Sequence, residues 1–167
     1  MDQNTSLDQI NKARFVNIIG NPNVGKSTLM NALVGEKLSI VTSKAQTTRH
    51  RIMGIVNGED YQIVFSDTPG ILKPNYMLQE SMMDFVHTAI TDADIILYVT
   101  DVIEKIDKNK EYIDKLNNVE CPVLIAINKL DESSQAKVIE LVEKWHSLVP
   151  KAEILPISAL NKFNVDT

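Results

Sequence analysis

One run of nine residues constrains this chain more than any other: Gly20-Asn21-Pro22-Asn23-Val24-Gly25-Lys26-Ser27-Thr28. It satisfies the phosphate-binding pattern G-x-x-x-x-G-K-[ST] without a mismatch. Ahead of it, Arg14–Ile19 is rich in β-branched and aromatic residues, as a buried strand requires. Behind it, Leu29–Val34 is apolar along one helical face, and Gly35 stands where it can end that helix. In such a strand–loop–helix unit the loop's backbone N–H groups form a nest for an anion, and the helix N-terminus adds partial positive charge. Lys26 is then placed for β- and γ-phosphates, and the Ser27 hydroxyl for Mg²⁺. A glycine turn that merely resembles the pattern is the competing reading; the flanking strand and helix weigh against it.

The rest of the chain must be compatible with that unit. Its 167 residues suffice for one domain, 1–167, with a real core. Seventeen basic against 22 acidic residues give a net charge of −5, which excludes bulk nucleic-acid binding by this chain. The single cysteine, Cys121, forms no internal disulfide and reads as a small buried hydrophobe opening a strand. The first 13 residues lack the apolar core of a signal peptide. The longest apolar runs, Ile95–Val99 and Val123–Ile127, are strand-length and too short to span a bilayer. A soluble, cytoplasmic protein is expected, and peripheral attachment at the inner face of the cell membrane is compatible with that.

After Gly35, the segment Glu36–His50 is polar and aperiodic, so it reads as a long functional loop. Ile52–Val56 and Tyr61–Phe65 flank Asn57-Gly58, a strong hairpin signal. Beyond Pro74, a helix is predicted from Leu78, Met82, Phe85, Val86, Ala89 and Ile90, with Met82 and Met83 read as core rather than as ligands. A strand at Asp94–Val99, a weaker helix near Ile106–Leu116 with a mixed-charge solvated face, and a strand at Val123–Ile127 follow. The last clear helix carries Val138, Leu141, Val142, Trp145, Leu148 and Val149 on one stripe and stops at Pro150. A short strand, Ile154–Ile157, closes the series. This order predicts an α/β fold of the P-loop NTPase type: a mostly parallel six-stranded sheet with one antiparallel strand and helices on both faces, two to each face. Gly20–Ser27, Asp67–Gly70, Asn128–Asp131 and Ser158–Leu160 each begin where a predicted strand ends. In an open parallel sheet, those ends lie along the ligand-binding edge.

Each motif has its own chemistry. Asp67 follows an apolar strand, where a carboxylate needs a cation, and opposite Ser27 it would hold Mg²⁺ through water. Thr68 and Pro69 lead to Gly70, whose unobstructed N–H suits a γ-phosphate sensor. Taken alone, Asp67-Thr68-Pro69-Gly70 also reads as an Asp-initiated turn. Asn128-Lys129-Leu130-Asp131 chooses the base: Asp131 accepts from guanine's ring N–H and exocyclic amino group, which adenine lacks. Asn128 would tie the base-binding loops together, the stem of Lys129 would lie over the ring, and the Ala159 N–H, between Ser158 and Leu160, would meet guanine O6. The histidines, His50, His87 and His146, have no metal-ligand spacing and carry no assigned chemistry.

Taken together, Gly20–Thr28, Lys44-Ala45-Gln46-Thr47-Thr48-Arg49-His50-Arg51, Asp67–Gly70, Asn128–Asp131 and Ile157-Ser158-Ala159 resemble the translation-factor-related GTPases and, within them, the Era family. Lys44–Arg51 discriminates best, since sibling families usually have Gly-Thr-Thr-Arg-Asp there. The resemblance spans Phe15 to Leu160. It implies binding of GTP/GDP with Mg²⁺ and hydrolysis of GTP with slow intrinsic turnover. Glu36–His50 becomes the first switch, with Thr48 on Mg²⁺ and the γ-phosphate, and the second switch starts at Asp67. Ile71 stands where many GTPases place a water-orienting Gln. Relatives hold K⁺ with an Asn at the position of Asn23, so Asn23, Lys26, Thr48 and Gly70 are the expected catalytic residues. The family also implies small ribosomal subunit assembly through a C-terminal KH domain that binds ribosomal RNA. Nothing in this chain matches that domain, and Asn21 replaces the family's common Arg.

Three readings compete: a GTPase switch, a nucleotide-gated binding module of a sibling GTPase, and a P-loop kinase or ATPase. The guanine-reading motif disfavours the last. Because Asp166 and Thr167 are helix-starting residues, the chain is expected to be cut before a final helix. The exposed face would then favour self-association, with GDP still binding and no ribosomal RNA binding.

Overall fold

In the computed structural model, residues 12–35, 52–59, 61–68, 77–106 and 110–165 are described. Six strands form one sheet: β1 (Lys12–Gly20), β2 (Ile52–Asn57), β3 (Tyr61–Asp67), β4 (Ile95–Asp101), β5 (Val123–Asn128) and β6 (Glu153–Pro156). Four helices accompany them: α1 (Lys26–Val34), α2 (Met77–Thr91), α3 (Lys110–Asn118) and α4 (Gln135–Leu148). The strand order is β2-β3-β1-β4-β5-β6. All neighbours are parallel except β2 against β3, where Ile55 faces Val64 in the antiparallel hairpin. The predicted fold class is therefore observed. β6 starts one residue before the expected apolar run and contains Pro156, which an edge strand tolerates. α3 begins later than its apolar pattern suggests, with Ile106 buried ahead of it.

Alternation along the strands builds two cores. Ile18, Leu97, Val99 and Ala126 point to the side of Leu29 and Met30 on α1. Their neighbours Ile19, Tyr98, Ile125 and Ile127 point to the other side, against Val86 of α2, Leu116 of α3 and Trp145 of α4. The expectation of two helices on each face is thus corrected. Among the described residues, three helices share one face and α1 lies on the other. The reason is topological: the chain crosses from β1 to the β3 side through α1 but the other way through α2, α3 and α4, and right-handed crossovers then put α1 on the opposite face. Trp145 and Met83 are core residues as expected, and Tyr98 packs on Trp145 at 5.7 Å between ring centroids. Cys121 is only half-buried, packed against the three-helix core. Gly35 ends α1 in a left-handed conformation, its N–H bonded to the Asn31 carbonyl.

A buried Asn on the central strand needs partners, and Asn17 has them. Its Nδ2 donates to the Ala89 carbonyl at 2.6 Å and to Asp92 Oδ1 at 2.7 Å, pinning the end of α2 to β1. Because β1 lies between β3 and β4, the strand order reverses at β1, and the loop leaving it opens at the switch point of the sheet. Among the described residues, no helix is long and apolar enough to cross a membrane.

Candidate functional site

The loop from Asn21 to Gly25 joins β1 to α1 at that switch point. Two residues take left-handed backbone: Asn23 at φ 64° and Gly25 at φ 98°. Asn tolerates this conformation, and Gly25 has no side chain to obstruct it. No side chain caps α1, so its N-terminus presents backbone donors and positive dipole to an anion. Val24 anchors the loop in the α1-side core, Pro22 and Thr28 are half-buried, and Asn23 is exposed.

Lys26 is buried and folds over the loop, its Nζ donating to the Asn21 carbonyl at 2.8 Å. Burial lowers its pKa to about 8, opposed by the charges of Asp67 and Glu104. The next residue, Ser27, donates from Oγ to Asp67 Oδ2 at 2.7 Å, so the loop and the end of β3 meet as expected. Thr68 does not face that site through its hydroxyl, which bonds the Ile18 carbonyl inside the sheet at 2.7 Å. Thr48, Pro69, Gly70 and Ile71, and the whole expected switch loop with Lys44–Arg51, lie outside the described residues.

The base-reading motif is tied to the same loop. Asn128, buried at the end of β5, donates from Nδ2 to the Val24 carbonyl at 2.9 Å. Its Oδ1 accepts the Ala159 N–H at 2.9 Å. The Ala159 donor is therefore already engaged, and a base oxygen would have to share it. Lys129 adopts a left-handed backbone, φ 65°, and its Nζ donates to the Asn23 carbonyl at 2.7 Å. The exposed Asp131 is oriented by Ser158, whose Oγ donates to Asp131 Oδ1 at 2.7 Å. No described residue donates to its Oδ2. Leu130 N–H reaches the Ile157 carbonyl, which holds the β5 and β6 loops together. Leu160 is exposed beside them.

Two participants are absent from the sequence-based site: Asp101 and Glu104. Asp101 pairs with Lys129 at 2.9 Å, and Glu104 Oε2 accepts from Asn21 Nδ2 at 2.8 Å. A signal for Asp101 does exist, since it is a carboxylate closing an apolar strand, as Asp67 is. Glu104 carries none, because it lies in an aperiodic turn.

The donor set at Ser27 and Asp67, a hydroxyl and a carboxylate, suits a hard cation such as Mg²⁺. Among the described residues, no three His, Cys, Asp or Glu side chains could hold a metal on their own. A Mg²⁺ ion here would therefore draw its other ligands from phosphates and water. Chemically, the site can bind a polyphosphate at one end and a donor-bearing base at the other.

Comparison with known proteins agrees with this architecture. A family model described as 50S ribosome-binding GTPase matches residues 15–129. GTPase Era of Clostridium botulinum strain Eklund 17B is 48% identical over 157 residues, covering 93% of this chain and 53% of that protein. A crystal structure of a tyrosine-to-alanine variant of Aquifex aeolicus Era bound to GDP and AlF4⁻ is 39% identical with a TM-score of 0.86, covering 92% of this chain and 54% of that one. Era in complex with MgGDPNP and nucleotides 1506–1542 of 16S ribosomal RNA is 40% identical with a TM-score of 0.87, covering 94% and 54%. The chain thus spans about half the length of the relatives it matches. With a P-loop GTPase fold and the motifs in register, the chain belongs to the 50S ribosome-binding GTPase family, as a GTPase domain similar to that of Era.

Proposed function

We propose that this chain is a GTP-operated switch that binds GTP and GDP with Mg²⁺ and hydrolyses GTP. The observation that carries the proposal is the pair of bonds at the base end. Ser158 orients Asp131, and Asn128 fastens that end to the phosphate loop. An acceptor oriented in this way favours guanine, whose two donors it satisfies, over adenine.

In this reading, Asn21–Thr28 wraps the phosphates, and Lys26 leaves the Asn21 carbonyl to meet the β- and γ-phosphates. Ser27 and Asp67 would hold Mg²⁺, with Thr48 joining them by resemblance. When bound, Mg²⁺ supplies charge neutralisation to the phosphates. Gly70 would report the γ-phosphate, and by resemblance Asn23 would help to hold K⁺. The protein's own contribution to hydrolysis is positioning, since phosphoryl transfer asks for little covalent chemistry.

The Era structure holding 16S ribosomal RNA supports a small-subunit ribosomal RNA as the partner of the whole protein. With a net charge of −5, this chain would meet RNA by shape or through another segment, not by bulk charge.

Multiple-turnover phosphate release from GTP tests the proposal. Mg²⁺-dependent release that is absent with ATP and accelerated by small ribosomal subunits supports an enzymatic switch. Release that the subunits leave unchanged, beside GTP-dependent subunit binding, favours a gated binding module. No release above the uncatalysed background refutes the GTPase reading.

A further inference from the structure

The turn that leaves β4 grips the phosphate loop from outside the recognised motifs. Asp101 Oδ1 accepts the N–H groups of Ile103 at 2.9 Å and Glu104 at 2.8 Å, which fixes the backbone of Glu104. The Glu104 carboxylate then spans two elements. Its Oε2 accepts from Asn21 Nδ2 at 2.8 Å, and its Oε1 accepts the hydroxyl of Thr100 on β4. On its other side, Asn21 is held through its carbonyl by Lys26 Nζ. Asp101 Oδ2 meanwhile binds Lys129, which donates to the Asn23 carbonyl. Both residues flanking Pro22 are therefore tied to one turn, Asn21 through Glu104 and Asn23 through the Asp101–Lys129 pair.

We propose that Glu104 is a positioning residue that holds the phosphate loop ready to receive a nucleoside diphosphate. A loop that is ordered before its ligand arrives does not spend binding energy on ordering. Asn21 is the first residue after β1, so fixing its side chain fixes the direction in which the loop leaves the sheet. The carboxylate anchored to Asn21 also lies within electrostatic reach of Lys26 and favours its charged, phosphate-binding form. This inference rests on the guanine-nucleotide reading above, and it concerns the phosphate end of the site alone.

The test compares GDP and GMP affinities of the whole chain by competition against a fluorescent GDP analogue. GMP lacks the β-phosphate that the loop and Lys26 serve, so a role in loop positioning penalises GDP selectively. Glu104→Ala is expected to weaken GDP about tenfold, equivalent to about 1.4 kcal/mol, while leaving GMP within about threefold. Asn21→Ala removes the same bond from the other side and should match it, and the double variant should be no worse than either single one. Glu104→Gln keeps an acceptor for Asn21 and should stay within about threefold of the unmutated chain. Equal losses for GDP and GMP, additive losses in the double variant, or no rescue by Gln would each overturn the proposal. If Glu104→Ala does not fold, the GDP-to-GMP ratio of Asn21→Ala decides the matter. Failure of the unmutated chain to bind GDP overturns the underlying reading as well, and is seen before any variant is compared.

Discussion

Gly25→Ala tests how the two ends of the site are joined. Gly25 sits at φ 98°, where an L residue costs about 1–2 kcal/mol. A Cβ there would also lie 2.2 Å from Asn128 Nδ2, inside any allowed contact. The amide must therefore move, and it carries two buried bonds, to the Val24 carbonyl and from the Ala159 N–H, both 2.9 Å. Each buried partner left unsatisfied costs about 1–3 kcal/mol, so the substitution should cost about 3–8 kcal/mol in all. Gly35→Ala isolates the backbone part, because Gly35 is also left-handed, φ 78°, but a Cβ there meets nothing within 4 Å. Urea unfolding of the nucleotide-free chain should give about 1–2 kcal/mol for Gly35→Ala and about 2 kcal/mol or more beyond that for Gly25→Ala. Isothermal titration with GDP should show the larger loss in the same variant. Equal destabilisation by the two alanines would refute the reasoning, since the Asn128 contribution would then be nil.

Lys26 carries a pH signature. With its pKa lowered to about 8 in the fold, the unfolded chain binds that proton more tightly; the cost of burying the charge is present below pH 8 and relieved as pH rises above it. Phosphate demands the charged form, so the GDP dissociation constant should be flat below about pH 8 and rise above it, and a profile still flat at about pH 10 would contradict this. Asp131→Asn exchanges an acceptor for a donor at the base end. GTP affinity should fall while xanthosine triphosphate, with a carbonyl in place of the amino group, gains a partner; unchanged GDP affinity would remove Asp131 from the base pocket. Hydrolysis should be faster in K⁺ than in Na⁺, and Asn23→Ala should erase the difference; equal rates in the two salts would sink that assignment.

Much of this architecture was legible because strand and loop chemistry alternate sharply. Val16, Ile18 and Ile19 mark β1, and Ile95–Val99 and Val123–Ile127 mark β4 and β5, the latter two ending at Asp101 and Asn128, which reach the site. The hairpin and the stop of α1 followed from Asn57-Gly58 and Gly35. The distribution of helices was less legible, because periodicity identifies a buried stripe without saying which side of the sheet receives it. Hydrogen-bond partners were legible only where a motif implies them, as with Ser27 and Asp67. The Ala159 N–H illustrates the limit: a backbone donor's partner depends on tertiary approach, here by Asn128 from another strand. Glu104 reaches Asn21 across 83 positions of sequence, and no local pattern encodes that distance. The resemblance to Era added Thr48, which composition and periodicity alone do not single out.

The central claim is that the Asn128–Asp131 and Ser158 end of this site reads guanine while the Asn21–Thr28 loop holds phosphates. Calorimetric titration of the nucleotide-free chain with GDP and with ADP, in Mg²⁺, tests it most directly. A site whose Asp131 carboxylate is oriented by Ser158 for guanine's donors should bind GDP at least about 10³-fold more tightly than ADP. ADP binding within about tenfold of GDP would contradict the claim, because phosphate contacts alone would then account for the affinity.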